Sequence, residues 1–159
     1  MKRIVVTLLA TAALPLLVAR AQNMDMSHHH DAAAPAAAEE NGMGLGEIML
    51  FQQARHIKLW FAGSASNWPL ADHEVGELKE GFDDLQKQLG GDTVESAIGG
   101  PMAALEKAID GKNRAAFTKA FDQLNAGCNG CHQTLNHGFI VIQRPTMQPY
   151  TDQVFKPQK

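Results

Sequence analysis

Four stretches of this chain repeat apolar residues at alternating steps of three and four, which restricts them to helices packed along one face. Val75, Leu78, Phe82, Leu85 and Leu89 follow the rule, as do Phe117, Phe121, Leu124, Cys128, Cys131 and Leu135. Val94, Ile98, Leu105 and Ile109 form a third set, with Pro101-Met102 in the gap. Leu50, Ala54, Ile57 and Phe61 form a fourth, expected to face the core. Steps averaging about 3.5 residues are the signature of a seam between helices. Punctuation sets the bounds. The first helix is predicted over Leu45–Ala62, stopped by Gly63. The second starts near Asn67-Trp68-Pro69, with proline in the first turn, and runs to Leu89 before Gly90-Gly91. The third covers Thr93–Ile109, where Gly99-Gly100-Pro101 predicts a break into two pieces. The fourth begins at Asn113 as N-cap and ends by His137, with Gly138 as its stop. Short connections make neighbouring helices antiparallel. The expected fold is therefore all-α, an up-down-up-down four-helix bundle over residues 43–138.

The flanks read differently. Lys2 and Arg3 precede an uncharged apolar run from Ile4 to Val18, followed by Ala19-Arg20-Ala21. A basic start, a short apolar run and an A-x-A site predict a secretory signal peptide over 1–21, and export to the periplasm. A membrane anchor would need about 20 apolar residues, more than this run supplies. Of 14 Lys and Arg, three lie in that segment, leaving 11 against 17 Asp and Glu, a formal charge of −6. That acidity argues against nucleic acid and anionic lipid as partners and suits a basic patch on a redox protein. Residues 22–42 lack a periodic apolar face and read as a disordered tail. Within it, Met24, Met26 and His28 to His30 offer thioether and imidazole ligands that suit copper; the alternative is a low-complexity leader. Residues 139–159, with Pro145, Pro149 and Pro157, predict an extended tail lying on the bundle through Phe139, Ile140, Ile142 and Tyr150.

The two cysteines stand in Cys128-Asn129-Gly130-Cys131-His132. C-x-x-C-H is the spacing that attaches a c-type haem: two thiols add to the vinyl groups, and the adjacent histidine reaches the iron as proximal ligand. A thioredoxin-like motif would instead open a helix after a strand. Zinc would require further ligands nearby. An exported pair also permits a plain disulfide.

The stretch Ala115-Ala116-Phe117, Ala120-Phe121, Leu124, Cys128, Cys131-His132 resembles the last helix of the cytochrome c prime family, four-helix bundles with C-x-x-C-H near the end of the fourth helix. The resemblance implies one covalent haem, thioether bonds at Cys128 and Cys131, and His132 as proximal ligand. It also implies a distal face formed by the first helix and pairing of copies through the first two helices. Gln133, rather than Arg or Lys, follows His132, and the proline-containing tail has no counterpart in the family pattern.

The sixth iron ligand decides function. A strong ligand makes a low-spin electron carrier, whereas an open face binds nitric oxide or carbon monoxide. Met49, Gln53, His56 and Trp60 form a stripe beside the expected core face of the first helix. Side-chain lean and the position of His132 near a helix end place the ligand near residues 54–57, so His56 is the candidate and Met49 the alternative. His73 and His137 rank below them, His137 being a cation suited to a helix C-terminus. Arg55 and Lys58 are candidates to pair with haem propionates. Three further roles follow: electron transfer with periplasmic redox partners, gas binding, and copper handling by the tail. A peroxidase-type activity would need a distal acid–base pair, and Arg55 with His56, about 100° apart on a helix, converges poorly.

Overall fold

The computed structural model describes residues 42–159. The expected signal peptide and the Met24–His30 segment lie outside them. Four helices follow in order: α1 Leu45–Ser64, α2 Trp68–Leu89, α3 Thr93–Asp110 and α4 Arg114–Thr134. Among the described residues there is no strand. No described helix is long and apolar enough to cross a membrane. Consecutive helices pack on one another, and α1 also meets α4.

Three of the four helix ends are set by one device. Ser66, Lys112 and Asn136 adopt positive φ of 58°, 49° and 60°. Just beyond each, an N–H reaches back five residues: Asn67 to Ala62, Asn113 to Ala108 and His137 to His132, at 2.9, 2.9 and 2.6 Å. This Schellman arrangement satisfies carbonyls that a helix end leaves unpaired. Asn67 and Asn113 then serve twice, because their side chains cap α2 at Leu70 N–H and α4 at Ala116 N–H. Each residue closes one helix and opens the next, so these connections are as short as the sequence predicts.

Two helix expectations are corrected. α3 runs unbroken through Pro101, with Met102 buried beside it. Gly127 of α4 lies against the Ala97 carbonyl, the one Pro101 leaves without an amide donor, so close that a Cβ would clash. α4 ends at Thr134 rather than His137, because Asn136 supplies the left-handed turn before Gly138 is reached.

The core holds Phe117, Phe121, Ile48, Leu59, Leu78, Leu105, Leu124 and Val75, all with under 2% exposure or close to it. The faces of α2, α3 and α4 are those the spacing predicts. The face of α1 is not: Ile48, Gln52, His56 and Leu59 point inward, while Leu50 is 62% exposed. Apolar spacing misjudged this helix because two of its inward positions are polar. Gln52 donates to the Leu78 carbonyl at 2.9 Å, and His56 meets Asn125. Paired in this way, buried polar groups cost little.

Residues 139–159 carry no helix or strand. Phe139 is 81% exposed, so it is not an anchor. The contacts come instead from Ile142, Arg144, Tyr150 and the buried Phe155. Ile142 bonds Asn129, Arg144 forks onto Asp122, Tyr150 lies under Lys58, and Phe155 packs on Phe61.

Gly63 sits where a Cβ would strike the Phe117 ring. Helix propensity alone predicts that Gly63→Ala stabilises α1 by roughly 1 kcal/mol. Overpacking a filled core costs about 1–3 kcal/mol. The expected result is a net loss, read as a lower urea midpoint with unchanged slope; a raised midpoint would show that the Phe117 ring yields freely.

Candidate functional site

The N-terminal half of α1, the C-terminal halves of α2 and α4 and the start of α3 line a cavity of about 470 Å³. That is within the roughly 300–1,000 Å³ of small-molecule sites. Its walls are mostly apolar, with Leu78, Phe82, Val94, Ile98 and Leu124 among them. All three residues of the motif reach it: Cys128, Cys131 and His132. So do both distal candidates on α1, Met49 and His56, together with His137. The tail contributes Ile140 and Ile142. His73, Arg55 and Lys58 do not line it. Arg55 is occupied by α2, 3.0 Å from the Glu77 carboxylate and 2.8 Å from its carbonyl. Lys58 lies over the Tyr150 ring. Trp60 and Trp68 pack on Phe117, with Trp60 also on Phe121, as parts of the core.

The cysteines occupy positions i and i+3 of one continuous helix and are unbridged. Such positions hold their Cβ atoms about 5–6 Å apart, beyond the roughly 3.5–4.5 Å of a disulfide. Burial, with Cys131 beside it, pushes the Cys128 thiol up to about 11. Burial raises Cys131 as well. Neither is an activated thiolate of the oxidoreductase kind. Among the described residues no three His, Cys, Asp or Glu side chains converge as a metal site.

His132 Nδ1 lies 2.9 Å from the Ile140 carbonyl. A carbonyl only accepts, so Nδ1–H donates and Nε2 of the neutral ring keeps its lone pair. His56 is different. Its Nε2 is 2.6 Å from Asn125 Oδ1, and its ring packs 4.5 Å from that of Phe121. Burial pulls its pKa below the usual 6.5, opposed by the Asn125 bond. Asn125, Asn129 and Ile140 are the site residues that sequence reasoning missed. Asn125 was legible in part, one turn before Cys128 on the same face; nothing in the sequence marks the other two.

Comparison with family models, with curated proteins and with solved structures finds no match.

The lowered pKa has a sign. The unfolded ring takes up a proton below pH 6.5 that the folded ring refuses, so stability rises with pH across that window. Relative to His56→Gln, the wild type is expected to hold its full stability above pH 6.5 and to lose it progressively below. Thermal melts of both forms between about pH 5 and pH 8 check this; a constant gap would mean the ring titrates normally.

Proposed function

We propose that this chain is an exported, periplasmic monohaem c-type cytochrome that transfers single electrons. In this reading the haem is attached through Cys128 and Cys131, with His132 as proximal ligand. The observation that carries it is one mostly apolar cavity reached by both thiols, by His132 and by a thioether on the opposite helix. The donor set fits: two thiols whose burial favours the protonated form suited to vinyl addition, and an imidazole whose Nδ1 faces a main-chain carbonyl, which directs Nε2 to the iron. Bound there, haem iron supplies the exchange between ferrous and ferric states. The chain's own residues orient the imidazole, exclude water with Leu78, Phe82, Ile98 and Leu124, and offer a second ligand. The charge of −6 outside the signal segment suits a basic redox partner.

The same reading takes the helices as an antiparallel up-down-up-down bundle. Gly63 meets Phe117 and His56 meets Asn125, so α1 runs backward as α4 runs forward. Gln88 at the end of α2 likewise donates to Met43 before α1. Continuing the α1–α4 register by seven positions from His56 and Asn125 brings Met49 level with His132. His56 lies two turns deeper, about 10 Å along the helix, and its Nε2 is committed to Asn125. Met49 is therefore the proposed sixth ligand. The lean of side chains favours residues 54–57 when α4 runs to His137; with α4 ending at Thr134, two residues after His132, the register favours Met49.

Visible spectra of the protein matured in a host competent for c-type haem attachment test this. Sharp low-spin reduced bands, unmoved by carbon monoxide, are expected for the wild type and for His56→Gln. Met49→Ala should become high-spin and bind carbon monoxide. A high-spin, carbon monoxide-binding wild type would replace electron transfer with gas binding; absence of covalent haem would remove the whole reading.

A further inference from the structure

His132 is oriented by a segment outside the four helices. Beyond α4, the His137 N–H bonds the carbonyl of His132 itself, and the Ile140 N–H bonds His137 at 2.8 Å. These two turns bring the Ile140 carbonyl to His132 Nδ1. Two residues later the chain is gripped from both sides. The Asn129 amide donates to the Ile142 carbonyl at 2.9 Å and accepts from the Ile142 N–H at 2.7 Å. Asn129 lies inside the C-x-x-C-H motif, so α4 itself locates the carbonyl that its histidine uses.

The segment is held further on. The Arg144 guanidinium forks onto Asp122 and lies 5.2 Å from the Trp60 ring. Asn67 donates to the Phe155 carbonyl at 3.1 Å, and the Phe155 side chain is buried. Apolar burial does not explain the path before Phe155. Phe139, Val141, Met147 and Val154 are 81%, 72%, 78% and 63% exposed. What the segment presents inward there is backbone polarity at Ile140 and Ile142, beside their side chains at the cavity and Tyr150 on the core.

We infer that residues 138–155 form a strap that fixes the orientation and tautomer of His132, with Ile140 and Asn129 as positioning residues for the iron ligand. This rests on the haem reading above. A carbonyl on the outer nitrogen keeps Nε2 free for the metal and makes the imidazole a stronger donor. A stronger donor favours ferric over ferrous iron, so the strap lowers the reduction potential.

Asn129→Ala removes both bonds to Ile142. Ile142→Pro removes one of them without touching α4, and serves where the first variant fails to fold. Gly130→Ala is the control, since a Cβ there meets nothing. In the haem-free protein, ring nitrogen NMR shifts of His132 are expected to report Nδ1–H in the wild type and the control. A mixture of tautomers is expected in Asn129→Ala and Ile142→Pro. In the haem-loaded protein, the same two variants should show a more positive potential and, combined with Met49→Ala so that the ferrous iron is five-coordinate, a lower iron–histidine stretching frequency. Folded variants with wild-type tautomer, stretch and potential would overturn the strap. If the wild type takes up no haem, the haem reading fails, and the haem-free tautomer measurement still decides whether the strap holds His132.

Discussion

Trp60 and Gly63 of α1 press on Phe117 and Phe121 of α4, and the cavity depends on that closure. Phe117 and Phe121 are wholly buried, and Trp68 adds an edge contact to Phe117. Each large ring removes about 150–250 Å² from water and adds a directional term of about 0.5–1.5 kcal/mol per pair. This end of the α1–α4 contact is thus thick with aromatic carbon and tolerates only glycine at 63. Toward the other end Met49 of α1 and Cys128 of α4 line the cavity, together with Leu78, Phe82 and Leu85 of α2 and Val94 and Ile98 of α3. Close aromatic packing at one end of the α1–α4 contact thus gives way at the other to a cavity walled by all four helices.

The boundary between these regions is polar. Gln52 and His56 point into the core and are satisfied by the Leu78 carbonyl and by Asn125. An apolar seam permits slippage by a turn at modest cost, whereas an unmet buried donor costs about 1–3 kcal/mol. The His56–Asn125 bond, 2.6 Å long, therefore selects one register of α1 against α4. That register matters for the proposed chemistry, because in the proposed antiparallel bundle it would bring Met49, seven residues back, level with His132. In this account His56 serves the iron site by holding the helix that carries the ligand.

The sequence made the helices legible for a specific reason. Their apolar positions repeat cleanly in α2, α3 and α4, and Asn67 and Asn113 announce caps. α1 was read in the wrong rotation because Gln52 and His56 are inward yet polar, and periodicity counts only apolar residues. The break expected at Pro101 is absent, and Gly127 lets α4 come close to the carbonyl that the proline leaves without an amide donor, a contact between residues 30 apart. The motif triad reaches one cavity, as its spacing on a helix implies. The strap was invisible: its key acceptor is a backbone carbonyl, identical in every residue, and its grip is an asparagine in a position the motif leaves variable.

The place of C-x-x-C-H in the last turns of α4 is itself informative. A helix C-terminus carries a partial negative charge that disfavours a thiolate, and burial works in the same direction on both thiols. A redox-active dithiol or a thiolate metal site is poorly served there. A thioether carries no charge, so neither the dipole nor the burial opposes it. The same position lets the chain leave the helix within one turn of His132. Only a helix that ends there can turn back and present a main-chain acceptor to its own histidine, because carbonyls within a continuing helix are already bonded along the axis. Site and strap thus share one cause, the left-handed Asn136, four residues after His132, which stops α4 at Thr134.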